Sequence, residues 1–512
     1  MQSIFNEFIS RNLFVYVSIF CMTLVGYAVV LGGPFFFDDN IFIEHNVSVQ
    51  NFDVGRIYTH STTADSGISG DNFYRPNQQL IFATLIKIFG ARPWIFHFVS
   101  IFFHSINGFL VFLLFGYLGL GRPYALLGAI LFILHPIQTQ AVSYISGLSE
   151  PLVTTSVLSV LILYIRQITG NFSKKEIAGI GVLTVISLFS KENAVILLGL
   201  LPILAFYFYK KEILLNKRRA LWLWVFVTAI ILVYLSLRFS VFNFTSGLTG
   251  SFGIVTVPNI YTESLYIRLV TFISTIWQYC KMILVPINLH YETAYFAVTS
   301  LYSFVEIFGL GVLIAGLCCA YRSLVFGRGI FFFSFFWFFM ALLPVSGIIP
   351  TNAIYLEHWL YMPIIGVIFW CVYALQNFSK KNENSSEQKN HLFFYVVIII
   401  LFIYTVIDIN RNLDWANPIR FYKNELKYTN SAGRIYANLG MEMADQGDCQ
   451  NAILYYKYAI EVNDQYPQTH YNLGKCLETV GDRKNAIIEY NKSLKIDPTF
   501  RYSIERLRSL GN

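Results

Sequence analysis

Two adjacent carboxylates, Asp38 and Asp39, follow the run Gly32-Gly33-Pro34-Phe35-Phe36-Phe37 at the mouth of an apolar segment. Ionised carboxylates beside a membrane are costly and need a partner or a task. Apolar surroundings raise a carboxyl group's proton affinity toward the range useful to a general base. The pair therefore suits proton abstraction from a hydroxyl, or the holding of a cation. The plainer alternative is a solvated helix end, or an N-cap for the next helix.

Further polar side chains interrupt apolar stretches along the chain: Arg75 in Tyr74-Arg75-Pro76, His135 and Gln140 in His135-Pro136-Ile137-Gln138-Thr139-Gln140, Glu150, Lys191 with Glu192, and Glu357 with His358 before Trp359-Leu360-Tyr361-Met362-Pro363. Each alone is more often structural. Together they describe a layer of acids, cations and aromatics suited to a phosphate-bearing amphiphile held at a membrane surface. Arg75 and Lys191 would neutralise phosphate charge, the arginine with a bidentate fork. Two adjacent carboxylates with no third ligand in view do not establish a metal site, so a divalent ion stays open as a cofactor.

The elements that must position these groups are membrane helices. Of the 512 residues, 55% are hydrophobic and 13% charged, against roughly a quarter charged in soluble proteins. A crossing needs about 20 apolar residues, and such runs lie near 12–33, 94–119, 123–142, 150–168, 177–190, 193–209, 220–238, 264–286, 302–321, 329–349, 356–376 and 391–409. Basic clusters at Arg122, at Lys174 with Lys175, from Lys210 to Arg219, at Arg322 with Arg328, and from Lys380 to Lys389 are expected in the cytoplasm. Between the third and fourth clusters lie three runs, an odd number of crossings. The segment 264–286, carrying Glu263, Arg268 and Lys281, is the one to demote, as an interfacial or re-entrant helix with snorkelling charges. About eleven crossings follow, with the N-terminus inside and the loop 34–93, the turns near 143–150, 191 and 350–357, the segment 239–301 and all beyond 410 outside. The stretch before Arg11 is too polar for a cleaved signal peptide, so the first run stays as a span.

After residue 410 the chain turns polar. Gly440 recurs as Gly474, Ala452 as Ala486, Tyr456 as Tyr490 and Leu439 as Leu473, each 34 residues on, which is the tetratricopeptide period. Tyr422 occupies the aromatic position of a preceding half repeat, Pro498 closes the second repeat, and 501–510 read as a capping helix. The expected division is a membrane domain 1–410, a linker and half repeat 411–430, and repeats 431–512. Such solenoids bind peptides in a groove. Cys21, Cys280, Cys318, Cys319 and Cys371 read as apolar packing residues, while Cys449 and Cys476 would pair only in an oxidising compartment. The net charge of +7 sits in short loops and sets topology, so nucleic acid is not an expected partner. Nucleotide-loop, HExxH and paired CxxC patterns are absent.

Phe37-Asp38-Asp39, Tyr74-Arg75-Pro76, His135-Pro136 with Thr139 and Ser146-Gly147, Ser190-Lys191-Glu192, Glu357 with Leu360-Tyr361 and Pro363, Arg411-Asn412 with Trp415, and the repeats come in an order and spacing that resembles a known family. It is that of the membrane O-mannosyltransferases with transmembrane and tetratricopeptide-repeat regions, and their bacterial relatives, within the GT-C glycosyltransferase fold. The resemblance covers nearly the whole chain. It implies an all-α multi-span bundle, a polyprenyl-phosphate sugar donor used outside the cytoplasm, and inversion at the anomeric carbon. It maps the base onto Asp38, with Asp39 assisting. The donor phosphate falls to Arg75 and Lys191, with His358 weaker, because related sequences commonly carry Glu-Arg where this one has Glu357-His358. His135, Gln140, Glu150, Glu192, Glu357 and Tyr361 complete the candidate site. Animal members carry more repeats, so a bacterial inner membrane is the expected home, or the endoplasmic reticulum membrane in a eukaryote. The sequons at Asn46 and Asn243 lie on the expected outer side, though such triplets arise often by chance.

The function expected is transfer of one sugar, mannose or another hexose, from the lipid phosphate to a serine or threonine of a protein presented by the repeats. A polymerase or ligase of lipid-linked oligosaccharides would share the donor chemistry. A membrane scaffold or transporter ranks third, since the halves show none of the internal symmetry that transporters carry.

Overall fold

A computed structural model describes residues 2–66, 73–241, 261, 264–291, 297–327, 329–349, 351, 353–381, 387–429 and 432–511, and all regular elements among them are helical. Asn243, Glu263 and Arg328 lie outside the described residues. The chain divides into two compact units, Met1–Leu289 with Phe296–Asn412, and His290–Tyr295 with Leu413–Asn512.

Seven helices among the described residues are long and apolar enough to cross a membrane: Asn12–Gly32, Pro93–Tyr117, Ile145–Thr169, Glu192–Lys210, Lys217–Ser240, Phe304–Phe326 and Tyr395–Trp415. An eighth results if Arg122–Ile133 and Pro136–Ser143, bent by 50°, make one span. Of the other expected runs, Lys174–Ser190 is a 17-residue helix, and Ile330–Val345 and Ile364–Lys380 are apolar but short. The segment chosen for demotion forms the helix Leu265–Leu284. Its Arg268 does not snorkel. The side chain is buried and donates from Nε to the Gly347 carbonyl at 2.6 Å, because Gly347, at φ +81°, turns the chain back against it. A guanidinium sealed inside must find acceptors, and two backbone carbonyls, of Gly347 and Tyr261, supply them.

The helix Ile145–Thr169 is the centre of the first unit, with 83% of its apolar stretch buried, against 17% for Phe304–Phe326, whose surface is left for lipid. Close approach relies on small residues: a side chain at Gly199 would strike Met340, and one at Gly366 would strike Trp337. At the other edge, Asn412 donates to the Gly26 carbonyl at 2.9 Å, and a side chain at Gly26 would meet Asp408. The last apolar helix is thereby clamped to the first.

Two irregular regions carry the polar residues. Residues 132–146 are all buried, running through the turn Pro136–Gln138, the helix Thr139–Ser143 and the turn Ile145–Leu148. Buried irregular backbone needs internal partners, and receives them from Asp39, which accepts from Ser146 N–H, and from Gln78, which donates to the Ser146 carbonyl at 2.8 Å. The loop after the first span folds into short helices, Val47–Gln50, Val54–Thr59 and Pro76–Phe89. Ile43, Val49, Ile57 and Phe82 pack with Phe96, Ile145 and Leu148 in one apolar cluster. Asn46 caps Val47–Gln50 and donates to Thr62 O at 2.8 Å from a buried position, so its amide is not an open glycosylation acceptor.

In the second unit Gly433–Asp445 pairs with Cys449–Val462, and Pro467–Thr479 with Arg483–Ile496, followed by Arg501–Ser509. Gly440 lies against the Tyr456 ring and Gly474 against the Tyr490 ring, where a Cβ would sit 2.9 and 2.6 Å from the nearest ring carbon. Gly447 and Gly481 turn the chain at positive φ, and Asp448 and Asp482 cap the second helix of each pair through Asn451 and Asn485 N–H. Tyr422 is fully buried on the helix Pro418–Glu425.

Candidate active site

Phe37 is held at φ +60°, a conformation unfavourable for a bulky side chain. Its ring packs edge-on against Tyr144. The kink sends the two following carboxylates to consecutive points of one segment. Asp38, half-buried, accepts from the Tyr144 hydroxyl at 2.6 Å. Asp39, buried, accepts from Ser146 N–H at 2.9 Å and Ser146 Oγ at 2.5 Å. Burial outweighs these hydrogen bonds and raises Asp39 from 3.8 to about 7. The two acids are thus distinct: Asp39 is buried and ties the loop to residue 146, while Asp38 is only half-buried.

The same segment leads into Glu150, on the first turn of the central helix Ser149–Thr169. Lys191, at the end of Lys174–Ser190, forms a buried ion pair with Glu150. Burial pulls its ammonium pKa below the ordinary lysine range, with Glu150 opposing that fall. Arg75, ahead of Pro76–Phe89, lies 3.9 Å from Glu192 and over the Phe73 ring, and its buried Nε has no partner. His358, in the turn Glu357–Leu360 ahead of the helix Ile364–Lys381, places Nε2 3.9 Å from Glu150, and its backbone N–H donates to Gln140 at 2.7 Å. Burial first, then the positive charges of Lys191 and Arg75, push His358 well below its usual pKa, so the ring is neutral. Arg75, Gln140, Glu150, Lys191, Glu192 and His358 therefore form one connected cluster.

Three other expected residues point elsewhere. His135 engages both ring nitrogens, accepting from Ile137 N–H and meeting the Ile283 carbonyl at 3.1 Å. Tyr361 is buried with its hydroxyl shared by His104 at 2.7 Å and Asn107 at 3.0 Å. Glu357 faces Arg411 at 3.7 Å. These side chains hold the bundle together around the cluster.

Sequence reasoning missed Tyr144 and Gln78, and named Ser146 and Arg411 only as part of the family pattern, with no role. A tyrosine and a serine among apolar residues carry no mark of their task. Among the described residues no group of three His, Cys, Asp or Glu side chains could hold a metal ion.

Comparison with known proteins adds two findings. A tetratricopeptide-repeat family model matches residues 467–500, the second of the two pairs just described. Over 452 residues, 85% of this chain, the sequence is 25% identical to a protein O-mannosyl-transferase of Caenorhabditis elegans. The chain spans 60% of that relative's length. It is an all-helical chain with several helices apolar enough for a membrane and a tetratricopeptide repeat, similar over most of its length to an O-mannosyl-transferase.

Proposed function

We propose that the protein is an inverting glycosyltransferase that moves a sugar, mannose or another hexose, from a polyprenyl-phosphate donor to a serine or threonine hydroxyl of a protein. The observation that carries this reading is the division of labour in the acid pair. Asp38 is half-exposed and oriented by Tyr144, whereas Asp39 is sealed against Ser146. Asp38 accepts the proton of the acceptor hydroxyl as its oxygen attacks the anomeric carbon. The bond from that carbon to the phosphate oxygen breaks on the opposite face, and the lipid phosphate leaves with the electron pair. Arg75, partly exposed and with an unpartnered Nε, meets the departing charge. Lys191 adds positive potential from behind, its own nitrogen paired with Glu150. The neutral His358 shapes the wall without holding phosphate charge.

The similarity to an O-mannosyl-transferase supports the reaction class and a protein acceptor. The fold belongs to this reading as a GT-C bundle of about eleven crossings, the short apolar helices crossing with their neighbours. The basic loops support placing the acid pair and the chain beyond residue 410 outside the cytoplasm, across a bacterial inner membrane or the endoplasmic reticulum membrane. The repeats then form a short solenoid that presents the acceptor.

The test is Asp38→Asn in purified membranes given labelled polyprenyl-phosphate mannose and the membrane's own proteins. Transfer is expected to fall at least a hundredfold, within the usual range for a general base, with the chain still inserted and folded. Full transfer in that variant overturns the assignment. Activity with lipid-linked oligosaccharide but not with the monosaccharide donor would reassign the chain to glycan transfer.

A further inference from the structure

At the end of the bundle away from the acid pair, the stretches 166–176 and 210–219 carry three and five Lys or Arg residues against two acids, Glu176 and Glu212. The fold joins these stretches. Arg219 Nη1 donates to the carbonyls of Gln167 at 2.8 Å and Gly170 at 3.1 Å. Leu215 N–H donates to the Ile168 carbonyl at 3.1 Å, and the Tyr164 hydroxyl to the Ala220 carbonyl at 3.2 Å. Arg219, with its guanidinium also 5.5 Å from the centre of the Phe172 ring, is a structural cation. Both oxygens of Glu176 are occupied, by Arg166 at 2.6 Å and by Gln167 at 2.7 Å. Glu212 is exposed and makes no ion pair.

From this joint the helices Lys174–Ser190 and Lys217–Ser236 run in contact and border a groove of about 450 Å³. Arg218, Trp222 and Phe226 line it at four-residue spacing, which sets them on one face of Lys217–Ser236. This stripe is about 12 Å long. Phe172 and Ile177 line the groove from the other stretch. The Phe226 ring lies over Gly181, where a Cβ would come within 3.0 Å of it, so the rings are seated on the neighbouring helix. Trp222 is nonetheless 71% exposed and Phe172 55%. Arg218 is exposed and has no hydrogen bond, ion pair or ring contact among the described residues. Lys174 and Lys175, one turn before Ile177, are equally uncommitted. A row of bare rings thus ends in an unpaired guanidinium with two further cations on the adjoining helix.

We propose that this groove binds an anionic phospholipid from the leaflet on the side of the basic loops, with its phosphate on Arg218 and one acyl chain along Trp222 and Phe226. The inference does not rest on the transferase reading. Exposed rings on a membrane helix call for hydrocarbon, and a tryptophan one turn from the charged end suits the headgroup boundary. The guanidinium fork matches two phosphate oxygens. Clustered Lys and Arg beside a membrane helix attract anionic headgroups. A choline headgroup brings its own cation toward Lys174 and Lys175, so a zwitterionic lipid fits less well.

The experiment uses the full chain in phosphatidylcholine nanodiscs doped with a small fraction of phosphatidylglycerol. Bromine is carried on the acyl chains of one lipid or the other, and the tryptophan fluorescence lost in Trp222→Phe isolates the Trp222 signal. Brominated phosphatidylglycerol is expected to quench Trp222 as if enriched about fivefold over brominated phosphatidylcholine at equal mole fraction, the effect of about one cation at a membrane surface. Arg218→Gln should remove most of that preference, and Arg218→Lys should keep part of it. Arg322→Gln, which removes the same charge from another basic loop, should leave it unchanged. Equal quenching by the two lipids overturns the proposal. So does an equal loss in Arg218→Gln and Arg322→Gln, which would mean a general surface charge and no site. Loss of the preference on adding inorganic phosphate at the concentration of the phosphatidylglycerol would assign the groove to a free anion and overturn the lipid. If Arg218→Gln does not fold, an unchanged preference in Arg218→Lys together with a reduced one in Arg322→Gln overturns it instead.

Discussion

At residue scale, neighbouring carboxylates in the sequence have opposite surroundings. Asp39 illustrates the cost of using a carboxyl as a tie. Its pKa is raised to about 7 from 3.8 because burial disfavours the charge more than Ser146 and Phe36 favour it. The folded state therefore binds a proton more tightly than the unfolded chain. Its contribution to stability is fully present below about pH 4 and is lost as pH rises through about 7. Asp39→Asn keeps an acceptor for Ser146 without the charge, so the fall in melting temperature between pH 5 and pH 8 should be shallower in the variant than in the wild type. Differential scanning fluorimetry in detergent reads this directly, and equal slopes would show that Asp39 is not the titrating group. The sequence made the acids, Lys191, Glu192 and Arg75 visible because charge stands out against apolar surroundings. Tyr144 stayed hidden and Ser146 stood in the family pattern without a role, since hydroxyl-bearing residues are common in any bundle and only the fold brings them 106 and 107 residues back to the acids.

At the scale of elements, periodicity was the strongest signal. The 34-residue spacing marks Gly440, Gly474, Tyr456 and Tyr490 as repeat positions, and the structure packs Gly440 on Tyr456 and Gly474 on Tyr490, each within its own helix pair. The ring behind Gly474 is boxed in by Tyr471 and by the hydroxyl's bond to Glu478, so it has little room to yield. Gly474→Ala should therefore destabilise the C-terminal unit by about 1–3 kcal/mol, the usual range for overpacking. Limited proteolysis of the intact protein should show faster cleavage within residues 433–509 and an unchanged membrane unit; equal rates would mean the helices slide apart freely. Arg268 was less legible. Its charge argued for a helix at the lipid surface, and its acceptor, the Gly347 carbonyl, lies 79 residues away on a glycine turn that hydropathy does not register.

For the whole molecule, the charge rule predicts one arrangement in the membrane, and its parity turns on whether the segment 264–286 crosses. A single cysteine placed at Asn512 in a chain with the native cysteines replaced should react with a membrane-impermeant maleimide added outside the cytoplasm, in intact bacterial cells or inverted microsomes as the host requires. Protection until the membrane is opened would put the C-terminus in the cytoplasm and remove the repeats from any role in presenting an acceptor to Asp38. Helix content and the polar C-terminal unit could be read from composition. The number of crossings could not, because Lys174–Ser190, Ile330–Val345 and Ile364–Lys380 fall short of a full span by length alone, and burial within the bundle decides what short helices do.

The clamp of Asn412 and Asp408 on Gly26 has a consequence for biosynthesis. The two contacting stretches are among the first and the last apolar helices to leave the ribosome, 386 residues apart at the Asn412 hydrogen bond. Until the last is inserted, the first has no partner at Gly26, and Glu357 lacks Arg411. The membrane unit is therefore completed late, after nearly all of its helices have entered the bilayer, and only a chain stopped before residue 408 would leave Gly26 without Asp408 and Asn412 and Glu357 without Arg411.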